Sequence, residues 1–366
     1  MTSWKTYKLG DICSRLRSGR GIPASEVSTC GKFAVVGGNG VRGYTDTSNF
    51  NGQCVVVGRQ GAYCGNVRYF DGEFYMTEHA VVIVGNELAD THFLAYLLST
   101  MHLGQLSAQS AQPGLSVQTL SKLEITLPSL EEQRRIAGIL GAIDDKIENN
   151  RHINANLESQ AQALFEEFFF SNNNWEHRTL GDLTEEVKER VNGRDAKVLS
   201  PISSGELVLS EDYFTKQVYS QDISKYIVVE PNSFAYNPAR INIGSIGINA
   251  FDFTGCVSPV YVVFKTKNEY ENFFRLFAKS DIFKEEVKSR AIGGVRQTLS
   301  YQDFAMIKVK YPPLEIVREF NSRYTILLNL LNHNTQENDR LASLRDTLLP
   351  KLMNGELKIG DSFVTL

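Results

Sequence analysis

The chain repeats itself, and the repeat limits what it can fold into. "LSVQTLSKLEITLPSLEEQRRIA" at 115–137 returns as "LSYQDFAMIKVKYPPLEIVREFN" at 299–321, a constant offset of 184 residues. Leu115 aligns with Leu299, Gln118 with Gln302, Pro128 with Pro312, Leu130 with Leu314, Glu131 with Glu315 and Arg134 with Arg318. Earlier in each copy, "YKLGDI" at 7–12 returns as "RTLGDL" at 178–183. Self-similarity of this kind means one structural plan used twice, and 366 residues give room for two domains plus connecting helices.

Each copy reads as a strand-rich globular part, a proline and a long helix. In the first, "KFAVVGG", "QCVVVG", "FYMTEHAVVIVG" and "KLEITLP" are short β-branched runs bounded by Gly, Asn or Pro, the signature of strands. "THFLAYLLSTM" at 91–101 predicts a helix among them. In the second, "KYIVVEPN", "CVSPVYVVFK" and "MIKVKYP" predict strands, and "NEYENFFRLFAKSDIFKEEVKSR" a helix. The expected divisions are 1–128 and 172–312 for the globular copies, 129–171 and 313–353 for the long helices, and 354–366 for a tail.

The long helices carry a heptad seam, with apolar residues in alternating steps of three and four. In the first the seam is Ile136, Leu140, Ile143, Ile147, Asn150, Asn154, Leu157, Ala161, Leu164 and Phe168. In the second it is Phe320, Tyr324, Leu327, Leu331, Asn334, Asn338, Leu341, Arg345, Leu348 and Leu352. Pro128 and Pro312–Pro313 precede the helices, where proline is tolerated. Gly355 follows the second and is the expected stop. Each seam places two asparagines near its midpoint. An antiparallel pairing sets Asn150 against Asn338 and Asn154 against Asn334, and Ile143 then faces Arg345, whose charge is within reach of Asp144 or Asp145. A buried amide is satisfied only by another polar group, so such pairs fix register and orientation at a cost in stability. The expected fold class is therefore α+β: two similar strand-rich α/β domains separated by two long helices packed as an antiparallel coiled coil, with an internal pseudo-twofold repeat.

Composition excludes several classes. Five scattered cysteines form no C-x-x-C pair, so neither a disulfide framework nor a zinc site is supported. The opening "MTSWKTYKLGDI" has no apolar signal core, and no run of about 18 apolar residues predicts a membrane span. A cytoplasmic protein is expected. Net charge is −4, but it is +1 over 1–128, −4 over 129–170, 0 over 171–312 and −1 over 313–366, so the excess acid belongs to the first long helix. "GGNGVRG" matches G-x-G-x-x-G at Gly38, Gly40 and Gly43, yet "YTDTSNFNGQ" follows instead of the helix that a dinucleotide site needs. "YNPARINIGSIG" lacks the second proline and the aromatic residue of an amino-methyltransferase motif. His79 is flanked by strand residues and reads as structural. No catalytic or metal-ligating set emerges.

Two divergent globular copies, each closed by a Pro-Leu-Glu type of entry into a long helix, resemble the specificity subunits of type I restriction–modification systems. The residues carrying the resemblance are "KLGDI" and "TLGDL", "GGNGVRGY", "YNPARINIGSIG", "EITLPSLEEQRRIAGILGAIDDKI", "KVKYPPLEIVREF" and "LLPKLMNGEL", which together span nearly the whole chain. The resemblance implies that each copy is a target-recognition domain reading one half of a bipartite, asymmetric site in double-stranded DNA. It implies that the helices set the unspecified gap and dock two modification subunits, which use S-adenosylmethionine to methylate adenine. It also implies restriction subunits with ATP-driven translocase and nuclease activity that use Mg. The chain itself is expected to hold no cofactor and no catalytic residue. The alternatives are a scaffold that binds no DNA and an orphan specificity subunit without a working restriction partner.

By bidentate geometry Arg suits guanine, and Asn or Gln suits adenine. The expected DNA-binding residues are Arg15, Arg17 and Arg20 in "SRLRSGRG"; Asn39, Arg42 and Tyr44 on the Gly-rich turn; and Arg59 and Gln60 in "VGRQGAYCGN". The second copy offers Asn237, Arg240 and Asn242 in "YNPARINIGSIG", then Arg290, Arg296 and Gln297 around "AIGGVRQ". Arg59 and Gln60 correspond roughly to Arg240 and Asn242.

Overall fold

The computed structural model describes residues 4–107, 114–170, 175–203, 205–214, 216, 219–290 and 298–359. The chain divides into two compact units, residues 1–151 with 334–366, and residues 152–333.

The first unit contains β1 (Lys5–Lys8), β2 (Cys13–Ser18), β3 (Phe33–Gly37), β4 (Gly40–Thr45), β5 (Phe50–Gly58), β6 (Val67–Met76), β7 (Ala80–Gly85) and β8 (Glu124–Leu127). Six of these form one sheet in the order β2-β7-β5-β6-β3-β4, while β1 pairs with β8. Only β3 and β6 run parallel; the other neighbours are antiparallel. The runs "CVVVG" and "AVVIVG" form adjacent interior strands because both sides of their pleat find apolar cover. Val55, Val57, Val81 and Ile83 pack with Phe93, Leu94, Leu97 and Leu98 of helix Thr91–Thr100 and with Ile136, Ala137 and Leu140 of the first long helix. Cys54, Val56, Ala80 and Val82 turn the other way, onto Val36, Phe50 and Met76. Each such Val, Ile, Leu, Phe or Met side chain taken from water contributes about 1.5–3 kcal/mol. The helix Thr91–Thr100 starts at Asp90, whose carboxylate accepts from the Phe93 amide.

The second unit contains β9 (His177–Thr179), β10 (Thr184–Val187), β11 (Lys197–Pro201), β12 (Leu207–Leu209), β13 (Ile227–Val229), β14 (Phe234–Tyr236), β15 (Ile246–Ile248), β16 (Gly255–Val257), β17 (Val262–Thr266) and β18 (Lys308–Lys310). They form sheets ordered β10-β17-β14-β15 and β12-β11-β16-β13, plus the pair β18-β9. Its core is aromatic: Phe165, Phe169, Phe234, Phe264, Phe273, Phe274, Phe304 and Phe320 are all buried in one cluster. The segment read from sequence as one helix is two, Glu271–Phe277 and Asp281–Arg290. Ser280 makes the break, its hydroxyl accepting from the Phe283 amide.

A common frame links the copies. The order β10-β17-β14-β15 reproduces β2-β7-β5-β6, antiparallel throughout in both. The pair β9 and β18 reproduces β1 and β8. "LGDI" forms a 3-10 turn with Leu9 and Ile12 buried, and "LGDL" a short helix with Leu180 and Leu183 buried. Ser116 and Ser300, one repeat apart, cap the short helices Val117–Ser121 and Tyr301–Ala305 by accepting from the amides of Thr119 and Asp303. Outside this frame the copies part: unit one extends β6 with β3 and β4, and unit two builds a separate sheet.

The long helices are Leu130–Phe169 and Leu314–Met353. Within unit one their portions run antiparallel: Asp144 meets Arg345, and Asn150, later in the first helix, meets Asn338, earlier in the second. Within unit two Phe165, Phe168 and Phe169 gather on Phe320, with ring centroids 6.1, 5.8 and 4.9 Å away. The seam read from sequence shifts here. The fully buried positions are Ala161, Phe165 and Phe169, while Leu164 and Phe168 are only partly covered. Phe165 and Phe169 turn inward to pack with Phe273, at 5.7 and 4.9 Å.

Candidate nucleic-acid interface and helix pair

Backbone bonds gather several candidate residues at one end of the first unit's sheet. The amide of Gly19 donates to Ala80 O, Arg20 to Met76 O, Thr77 to Val36 O and Arg59 to His79 O. These bonds tie the ends of β2, β3 and β5 to the turn before β7, so Arg20, Asn39, Arg59 and Gln60 sit on neighbouring connections. Gly38 and Asn39 form the tip of the β3–β4 hairpin, whose Gly40 has φ +99, the left-handed region that glycine tolerates. The literal G-x-G-x-x-G is therefore a hairpin followed by a strand. Arg42 and Tyr44 continue along β4 at one edge of the sheet. Arg59 Nη1 donates to Ser18 Oγ at 3.5 Å, and its carbonyl accepts from the Leu115 amide at 2.8 Å. His79 contacts Glu78 at 3.3 Å through Nε2.

Arg15 and Arg17 lie on β2, at the opposite edge from β4. Arg15 is partly buried, its guanidinium 4.9 Å above the Phe50 ring, with Nε shielded and unpartnered. Burial, then the charge of Arg17, lowers its pKa from the usual arginine value. This geometry covers Phe50 of the core, so a packing role competes with DNA contact at that residue.

In the second unit Asn237, Arg240 and Asn242 occupy the β14–β15 connection, the counterpart of the β5–β6 connection that carries Arg59 and Gln60. Asn237 Oδ1 accepts from the Ala239 amide, its carbonyl accepts from Arg240, and buried Ile241 anchors the loop. Gly244 closes it at φ +87, where a β-carbon would lie 2.7 Å from Ser203 O. Arg290 ends helix Asp281–Arg290 and donates to Glu286 at 3.3 Å, which ties its guanidinium to its own helix. Arg296 and Gln297 lie outside the described residues.

Within unit one the helix pair holds a buried polar network. Asn150 is fully buried; its Nδ2 donates to Glu337 at 2.7 Å and to Asn338 at 3.0 Å, and its Oδ1 accepts from Lys146 Nζ at 3.1 Å. Lys146 is itself 3.1 Å from Glu337. About two turns away Asp144 accepts from Arg345 at 2.8 Å and from the Tyr96 hydroxyl at 2.6 Å. Burial first, then the hydrogen bond to Asp144, pushes the Tyr96 phenol above its ordinary range, and the bond to Asp144 raises Arg345. Asn154 belongs to the second unit's portion of the first helix and Asn334 to the first unit's portion of the second. Lys146 and Glu337 escaped the sequence reading because they flank the seam and look there like solvated charge. The one available signal was that Lys146 precedes Asn150 by a single helical turn.

The two copies share one frame with equivalent connections, and within unit one the helix pair is keyed by the buried amide of Asn150. Among the described residues no group of three or more His, Cys, Asp or Glu could hold a metal ion, and no helix is long and apolar enough to cross a membrane. A family model described as the type I restriction modification DNA specificity domain matches residues 1–159. The chain is 39% identical over 144 residues to the specificity subunit of the type I restriction enzyme EcoprrI of Escherichia coli, a match covering 38% of this chain and 36% of that protein. It is 28% identical over 315 residues to the MjaIX specificity subunit of Methanocaldococcus jannaschii, covering 74% of this chain and 70% of the relative. The crystal structure of the type I restriction–modification S subunit from M. genitalium shares the fold, with TM-score 0.69 over 96% of both chains at 20% identity. Residues 1–159 thus match the type I restriction modification DNA specificity domain, and the chain as a whole is similar to type I specificity subunits.

Proposed function

We propose that this chain gives a type I restriction–modification complex its DNA sequence specificity. Each unit reads one half of a bipartite, asymmetric site in double-stranded DNA; the long helices set the gap and dock two modification subunits. The observation that carries this reading is the duplicated frame. The order β2-β7-β5-β6 recurs as β10-β17-β14-β15, and the same connection bears Arg59 and Gln60 in one copy, Arg240 and Asn242 in the other. One frame with different side chains at its tips is what two unlike half-sites require, since phosphate contacts position a protein and base contacts specify. Methyl transfer to adenine from S-adenosylmethionine belongs to the modification subunits, and ATP- and Mg-dependent translocation and cleavage to restriction subunits. The complex works in the cytoplasm.

The test is to assemble the chain with its modification subunits and map methylated adenines on genomic DNA. The expected result is a single two-part motif with a fixed gap. Exchanging residues 1–128 for those of a relative should change one half of the motif and leave the other. Methylation without a bipartite motif, or change in both halves after the exchange, would overturn the reading. Methyl transfer by the chain alone would overturn its non-catalytic role.

A further inference from the structure

A second feature stands at the same end of the first unit's sheet. Between the β5–β6 connection, the start of β6 and the turn after helix Thr91–Thr100 lies an open groove of about 630 Å³. Asn39, Tyr63, Asn66, Arg68, His102 and Gln105 line it. Its walls are two backbone turns set against each other: a β-carbon on Gly65 would lie 2.1 Å from the Gly104 amide nitrogen. With the backbones in contact, the longer side chains are left to the opening, and Asn39, Tyr63, Arg68, His102 and Gln105 are all exposed. Tyr63 keeps 52% of its surface in solvent. Arg68 lies along the hairpin, its guanidine 3.4–3.5 Å from where a β-carbon on Gly40 would stand.

The position recurs. In the second unit a groove of about 240 Å³ lies between the β14–β15 connection, β15 and the end of helix Glu271–Phe277 with the start of the next helix. These are the counterparts of the elements that bound the first groove, yet the lining differs: Ile241, Ile246 and Phe283 floor it, and Arg275, Lys279 and Lys284 stand at its rim. Among the described residues no carboxylate lines either groove. That is selective in a chain with 42 acidic and 38 basic residues, and it suits a polyanion.

We infer that the groove of the first unit reads base edges, and that Tyr63, Arg68 and Gln105 are specificity-determining residues for its half-site. The inference rests on the proposed function and deepens it. Arg68 offers a bidentate donor fork for guanine, and Gln105 and Asn39 offer the paired donor and acceptor that match adenine. Tyr63 supplies an exposed ring and hydroxyl to the same groove. The connection from Arg59 to Asn66 joins this groove to the strand-end residues, so one loop serves both. The recurrence of the site with another lining accounts for two unlike half-sites on one frame.

The test uses the full chain assembled with its modification subunits, supplied with S-adenosylmethionine and a pool of randomised duplexes, and sequences the methylated products. Tyr63→Ala, Arg68→Gln and Gln105→Ala should each relax one or two positions in one half of the motif, with discrimination falling about tenfold to a hundredfold. The other half and the gap should stay fixed. Gln105→Glu keeps the shape but removes the amide donor, so it should shift base preference at its position rather than merely relax it. Thermal unfolding of each variant should match the parent, as these side chains are exposed. An unchanged motif for all variants would overturn the groove while leaving the proposed function intact. A uniform loss over all sequences would do the same, by assigning the groove to phosphate. If the parent complex yields no bipartite motif, the function and the groove fall together.

Discussion

Asn150 is fully buried in a helix seam, yet its amide is satisfied by Glu337, Asn338 and Lys146. Removing it strands the partners. Asn150→Leu should therefore destabilise the chain by about 1–3 kcal/mol despite the added apolar surface, because buried polar groups lose their bonds. Replacing Asn338 by Leu as well should recover part of the loss and weaken the register. Melting temperatures of the two variants check both steps. His92 gives a residue-scale expectation in pH. It stacks on Tyr69 at 4.1 Å and on Tyr96 at 5.0 Å, and burial lowers its pKa below the usual 6.5. A lowered folded-state value means that the unfolded chain binds the proton more readily. The stability that neutral His92 provides is thus present above about pH 6.5 and is lost as pH falls from there through the folded-state value. The melting temperature of His92→Gln should depend less on pH in that window, and an equal slope for both proteins would rule the mechanism out. The sequence made the asparagines legible because an amide is conspicuous in an apolar seam. It could not show that Arg15 folds back over Phe50, since that contact joins residues distant in the chain.

Two helical glycines show how an element's surroundings decide a sign. A methyl added at Gly138 meets nothing within 4 Å, whereas at Gly141 it would lie 2.8 Å from His92 Cε1. Ala exceeds Gly in helix propensity by about 1 kcal/mol. Gly138→Ala should accordingly stabilise the chain. Gly141→Ala should destabilise it, because His92 is held between two tyrosine rings and cannot swing away. Opposite shifts in melting temperature are the expected readout; shifts of one sign would mean that the helix sits further from His92. At this scale the sequence was legible where local chemistry sets the element. The recurring "LGD" motif and the heptad steps mark short-range requirements. The common sheet order was not legible, because strands buried among different neighbours diverge freely once the pleat is filled. The seam drifted after Ala161 for a related reason: the aromatic cluster around Phe273 and Phe320 outweighs a strict repeat.

At the scale of the whole chain, the acidic excess belongs to the first long helix, while among the described residues no carboxylate lines either groove, so total charge says little about where the proposed DNA contacts lie. In the proposed function the long helices set the spacing of the half-sites. Each long helix has residues in both compact units, the first dividing after Arg151 and the second after His333. Adding residues to one helix alone would break the pairings around Asn150 or Phe320. Four helical residues added to both, after Arg151 and after His333, leave the packing inside each unit intact. Each helix then gains about 6 Å and turns about 40° beyond a full revolution. One added base pair gives about 3.4 Å and, at roughly 10.5 base pairs per turn, about 34°. The rotation matches one base pair and the rise is nearer two. The altered complex should keep both half-sites and accept a gap longer by one base pair, or at most two. Mapping methylated adenines across a genome reads the gap directly. Methylation that persists at the original gap would make the helices a docking platform alone, and their role in setting the spacing would have to be abandoned.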